Sequence, residues 1–186
     1  MTSAEIPPVK RSVSVPWDQE TAFNRFTFEF SWWWPMKSHS IGGDRVQKIV
    51  FEPFENGRIY EEHQDGRRFQ WGQILVWEPP GLLKFTWHPS RDPSTAQEVN
   101  VEFVVENGGT RLDLVSTGWE NWGPRARRAH NGYNLGWGYV LNVWAGRRTI
   151  SMTFLDVVAG VASQIQKFRG GTDGQIARAG GEISHS

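Results

Sequence analysis

The sequence predicts an α+β domain in which a long antiparallel sheet is followed by one amphipathic helix, with room for a small molecule between them. Three observations carry this expectation. Residues 58–119 read as a meander of strands separated by short turns, with Trp71, Trp77, Trp87 and Trp119 set along it. Within the meander, Val99, Val101, Phe103 and Val105 alternate with Asn100 and Glu102, the period of a half-buried strand. From Pro124 the apolar period lengthens to that of a helix, with Ala126, Ala129, Tyr133, Trp137, Val140 and Trp144 along one side. Burying one large apolar side chain contributes roughly 1.5–3 kcal/mol, so two stripes of this size are expected to cover each other.

The elements follow in order. Residues 11–17 alternate Val13, Val15 and Trp17 with Ser12, Ser14 and Pro16, as in a strand. Asp18 stands at an N-cap position and Glu20 in the first turn, where it complements the helix dipole. The helix they start carries Ala22, Phe23, Phe26, Phe30 and Trp33 or Trp34 as one aromatic stripe ending at Pro35. After Gly42 and Gly43, residues 45–54 read as a strand. Turn signals at Asn56 and Gly57, Asp65 and Gly66, Pro79 to Gly81, and Gly108 and Gly109 then delimit five strands. The strand around Trp71 has apolar groups on both faces. Gly132, Gly136 and Gly138 each weaken the last helix by about 1 kcal/mol, which predicts close packing or a bend there. Beyond it, Ile150, Phe154, Val157 or Val158, Val161, Ile165 and Phe168 predict a further amphipathic helix over 147–169, and the Gly-rich, polar stretch 170–186 is expected to be disordered.

Composition narrows the function classes. At 186 residues the chain suits one domain with a sizeable core. Twenty lysines and arginines balance twenty aspartates and glutamates, so no global field attracts nucleic acid or an anionic membrane. There is no cysteine, which removes disulfides, thiolate metal sites and a cysteine nucleophile and suits a reducing cytoplasm. The first ten residues lack an apolar signal core, and no window reaches the roughly 20 apolar residues of a membrane helix, so a cytoplasmic protein without membrane insertion is expected. His39, His63, His88 and His130 are scattered without ligand spacing, so no metal is expected. No G-x-S-x-G elbow, P-loop or G-x-G-x-x-G is present, and no cofactor is expected.

Three segments are more specific: NGRIYEEHQDGRRFQWGQILVWEPPGLLKFTWHP at 56–89, VEFVVENGGTRLDLVSTGW at 101–119 and GYNLGW at 132–137. They resemble the solitary bacterial Aha1-like (activator of Hsp90 ATPase homologue 1-like) domains of the START/Bet v 1-like, or SRPBCC, superfamily of polyketide cyclases and lipid-transport proteins. The resemblance covers about 11–146. It implies a helix-grip fold, a curved sheet wrapped around the C-terminal helix with a hydrophobic cavity between them. Relatives bind lipids, plant phenolics or polyketides, some close rings, and the eukaryotic namesake stimulates a chaperone ATPase. Fold alone does not choose among these. The Trp32–Trp34 run and the tail after Arg147 lie outside the resemblance, and each is a candidate cavity cap or homodimer contact.

The candidate site follows from the expected inner surfaces. Trp71, Trp87 and Trp137 offer stacking faces for a flat guest, Phe103 lies on the inward strand face, and Trp119 stands near the expected mouth. Ordinary core packing is the alternative for each. Tyr133 and Glu61 are the expected orienting hydrogen-bonders. Glu61 shares a side with Ile59, whereas Glu62 points the other way, so the two form no carboxylate pair. The leading expectation is a binder of a small hydrophobic, aromatic or lipid-like molecule. A cyclase or hydratase using Glu61 as a cavity acid, and a chaperone- or regulator-interacting module, are the alternatives.

Overall fold

Val9, Val13 and Val15 face inward from the first strand, β1 (Val9–Val15), while Lys10, Ser12 and Ser14 face water. In this computed structural model, residues 6–147 are described. Asp18 caps α1 (Gln19–Thr27), its carboxylate accepting the Thr21 amide at 2.7 Å. The chain then makes two one-turn helices, α2 (Phe30–Trp33) and α3 (Met36–His39). Six strands follow: β2 (Val46–Phe51), β3 (Arg58–His63), β4 (Arg68–Glu78), β5 (Leu82–Trp87), β6 (Gln97–Glu106) and β7 (Gly109–Thr117). A 3₁₀ segment, Trp119–Arg125, leads into the long last helix, α4 (Ala126–Trp144).

All seven strands form one antiparallel sheet in the order β1-β7-β6-β5-β4-β3-β2. The helices between β1 and β2 carry the chain from one edge to the other, and the meander returns until β7 pairs with β1. The sheet curls, and α4 lies on its inner face. Inward residues alternate as the period requires: Leu83, Phe85 and Trp87 on β5, Gln97, Val99, Val101 and Phe103 on β6, Thr110, Leu112, Leu114 and Ser116 on β7. At Gly72 a Cβ would lie 1.8 Å from the Thr86 carbonyl oxygen, so only glycine lets β4 approach β5 so closely.

Four expectations need correction. The aromatic stripe does not run in one helix to Pro35; α1 ends at Thr27. The Ser31 hydroxyl donates to the Ile49 carbonyl at 2.9 Å and accepts its amide at 2.7 Å. That pair ties the chain to the free edge of β2 and turns it off the α1 axis, in a run of Phe and Trp with modest helix propensity. Second, six strands rather than five follow the helices. Residues 88–96 break the meander between β5 and β6, where Pro89 and Pro93 remove amide donors and Asp92 accepts the Ser94 amide at 2.9 Å. Third, Val105 is 67% exposed at the outer end of β6. Fourth, a Cβ on Gly132 or Gly136 would touch no described atom within 4 Å, whereas one on Gly138 would meet Arg11 Nε at 3.1 Å. Close approach therefore accounts for Gly138 alone. The tail helix and the disordered end expected beyond Arg147 lie outside the described residues.

Candidate functional site

Strand alternation aims Trp71 from β4 and Trp87 from β5 inward, and the helical period aims Trp137 from α4 toward them. Trp71 and Trp87 meet edge to face with centroids 5.2 Å apart, and Trp87 lies 5.4 Å from Trp137. All three are buried. The sheet and the last helix therefore meet through tryptophan, and a fourth indole stands among them. Trp34, at the join of α2 and α3, lies 5.6 Å from Trp71, 5.7 Å from Trp87 and 6.4 Å from Trp137. It stacks on Phe30 at 4.7 Å and donates its indole N–H to the His39 carbonyl at 3.0 Å. Its neighbour Trp32 points to solvent, 90% exposed.

The other expected site residues fall into separate groups. Phe103 packs with Phe23, Phe26 and Trp144 at 5.3–6.5 Å, under α1 and the far end of α4. Trp119 is buried beside Tyr133, 5.3 Å away, and His130, 5.6 Å away, at the start of α4. Burial pushes the Tyr133 phenol up to about 12, since the phenolate would lose its hydration there.

Glu61 is wholly buried on the inner side of β3 with Ile59 and His63. Its Oε1 accepts the Gly42 amide at 2.7 Å and faces His63 Nε2 at 2.5 Å. Its Oε2 accepts the Ile41 amide at 2.8 Å and the Trp71 indole N–H at 3.1 Å. A carboxylate offers about four acceptor sites, and here four groups face them. Glu61 thus links Trp71 to the loop that follows α3, and through that loop to the Trp34 segment.

Two inward polar residues complete the surface. Gln97 stands directly opposite Trp87 in the β5–β6 register, and Ser116 opposite Val99 in the β6–β7 register. Both are 0% exposed, and Gln97 Oε1, Ser116 Oγ and Trp137 Nε1 have no hydrogen-bond partner among the described residues. Extending the Val99–Phe103 alternation back by one step, and reading Leu112 and Leu114 on to Ser116, marks both positions in the sequence. Trp34 carried a weaker signal, because the turn that sends it inward depends on Ser31 meeting β2. Among the described residues no cluster of His, Asp or Glu has the makings of a metal site, and no helix is long and apolar enough to cross a membrane.

A curled antiparallel sheet gripping one long C-terminal helix across an aromatic interior defines the helix-grip class of the START/Bet v 1-like superfamily. The chain belongs to the activator of Hsp90 ATPase homolog 1-like protein family, whose model matches residues 20–143. Among solved structures it is similar to an anthrahydroquino-gamma-pyrone synthase, Txn09, complexed with SUM. That likeness has 34% identity and a TM-score of 0.54, and covers 79% of this chain and 100% of the other. It is also similar to CalC, a self-sacrificing resistance protein from Micromonospora echinospora, at 28% identity and a TM-score of 0.56 over 76% of this chain and 93% of CalC. Protein MLL2253 from Mesorhizobium loti shares the fold at 20% identity and a TM-score of 0.54, over 75% of this chain and 95% of its own. No match was found among curated proteins.

Proposed function

We propose that the protein binds a flat, polycyclic aromatic molecule of the polyketide type between its sheet and α4, in contact with Trp71, Trp87 and Trp137. One observation carries the reading: three buried indoles from two sheet strands and the last helix converge on Trp34, itself a flat two-ring group supplied by a non-helical turn. An aromatic guest replaces that side chain with a similar shape and keeps the edge-to-face contacts, each worth about 0.5–1.5 kcal/mol beyond area burial. Entry requires the Trp34 turn to swing out, and Glu61 holds the loop at Ile41 and Gly42, on the far side of α3 from that turn. The likeness to Txn09, a synthase of a fused aromatic product, supports the choice of guest. Isothermal titration calorimetry with 2-hydroxyanthraquinone and anthraquinone tests it. A one-to-one complex is expected; no heat and no thermal stabilisation with either compound would overturn it.

A second reading, ring closure of the bound guest, is favoured by the 34% identity to that synthase. On this reading a ring hydroxyl of the guest adds to a carbonyl of its own side chain, forming the ring C–O bond, and the former carbonyl oxygen leaves as water. The pocket acts by holding that side chain folded against the ring and by meeting the carbonyl oxygen that gains charge with a hydrogen-bond donor. Chromatography of an uncyclised anthraquinone substrate after incubation would reveal a γ-pyrone product. Binding without turnover leaves the first reading and removes the second.

A further inference from the structure

Of the buried side-chain polar atoms that have no hydrogen-bond partner among the described residues, three belong to Trp137 and to the neighbouring inward positions Gln97 and Ser116, and their chemistry is complementary to a particular pair of groups. Gln97 donates its side-chain N–H to the Thr95 carbonyl at 2.9 Å, which fixes the amide and leaves Oε1 as an acceptor. It therefore calls for a donor. Trp137 Nε1 is a donor only and calls for an acceptor, while the Ser116 hydroxyl serves as either. Opposed residues of an antiparallel pair have Cβ atoms about 4.5–5.5 Å apart, and diagonal ones about 7–8 Å. Gln97 is thus next to Trp87, and Ser116 is its diagonal neighbour across β6 and β7. Trp137 is 5.4 Å from Trp87 by ring centroids, so Trp87 is the shared neighbour of Gln97 in the register and of Trp137 in the packing. Val99 and Leu114, both buried, flank Gln97 and Ser116 on the inward strand faces, and an apolar guest would leave the polar atoms unmatched.

We infer that Gln97, Ser116 and Trp137 form a polar recognition subsite that selects an aromatic guest bearing a free ring hydroxyl and a ring carbonyl. The hydroxyl donates to Gln97 Oε1, and the carbonyl accepts from Trp137 Nε1 with Ser116 Oγ beside it. This inference rests on the proposed binding of a polycyclic aromatic molecule and adds its substitution pattern.

The test compares 2-hydroxyanthraquinone with anthraquinone in mildly acidic buffer that keeps the phenol protonated, by calorimetry on the wild type, Gln97→Leu and Ser116→Ala. The wild type is expected to prefer the hydroxylated compound about tenfold, the equivalent of one net buried hydrogen bond. Gln97→Leu should bring that ratio to about one. Ser116→Ala removes a hydroxyl that has no partner among the described residues, so it should melt at or above the wild-type temperature while weakening binding several-fold. Equal wild-type affinity for the two compounds, or a preference that survives Gln97→Leu, would overturn the subsite while leaving the binding function standing. A Ser116→Ala variant that melts well below wild type would assign that hydroxyl a structural partner and remove it from the subsite. Binding of neither compound by the wild type would overturn both proposals.

Discussion

Replacing Glu61 with glutamine keeps the shape of the side chain and removes one of its two acceptor oxygens. Oε1 serves the Gly42 amide and His63, and Oε2 serves the Ile41 amide and the Trp71 indole. A glutamine has one oxygen, so its NH₂ must face one of these pairs. The less costly choice puts the NH₂ at the Oε1 position, where His63 can present an unprotonated Nε2 but the Gly42 amide cannot change sign. One buried amide is then unmet, at about 1–3 kcal/mol, and the two remaining bonds lose their charge assistance. Together these give a loss of about 3 kcal/mol. For a chain of this size each kcal/mol lowers the melting temperature by about 2–4 °C, so Glu61→Gln should melt about 6–12 °C below wild type. Calorimetry measures the melting temperature, and amide exchange at Ile41 and Gly42 locates the effect. A melting temperature within about 2 °C of wild type, with both amides as protected as before, would refute the view that Glu61 anchors this loop.

Three further outcomes follow from the same geometry. Trp34→Ala should cost the free protein about 3–5 kcal/mol, as large-to-small core changes do, yet show a larger ligand-induced rise in melting temperature than wild type, because no side chain then has to leave. An equal or smaller rise would place the guest elsewhere. Gly136→Ala, whose new methyl meets no described atom, should stabilise the protein by about 0.8–1 kcal/mol through helix propensity, read from urea denaturation. A loss would mean that the glycine faces a close neighbour. Tyr133, raised to about 12, stays protonated in the native state while an unfolded tyrosine ionises near 10. The native state holds the extra proton in that interval, so this contribution is fully present below pH 10 and is lost as pH rises toward about 12. Ultraviolet titration of wild type and Tyr133→Phe separates this group; a Tyr133 that ionises near 10 would contradict its burial.

The sheet was legible because its strands alternate cleanly and its turns use residues with few other uses, as at Asn56, whose φ is 67°, and Gly66 and Gly108. The loop at 88–96 carried its own signal in Pro89 and Pro93, but the apolar alternation on both sides of it reads as continuous. Periodicity also extended α1 too far, because the break depends on a hydroxyl meeting a strand edge some eighteen residues away in sequence. Of the site, Trp87 and Trp137 fall on faces that period marks as inward, whereas the strand of Trp71 has apolar groups on both faces and its period does not say which one turns in. For their meeting point, period narrows the choice to Trp33 or Trp34, and the turn at Ser31 decides that Trp34 is the one that meets the others. Glu61 could be set on the Ile59 side of its strand, but the amides it anchors come from a loop whose path only the folded chain defines.

The indole N–H resonances of the protein report directly where an aromatic guest sits. Titrating 2-hydroxyanthraquinone into isotopically labelled protein should shift the signals of Trp34, Trp71, Trp87 and Trp137 in a saturable way and leave that of exposed Trp32 unmoved. Saturable binding that shifts Trp32 while leaving those four in place would contradict that placement.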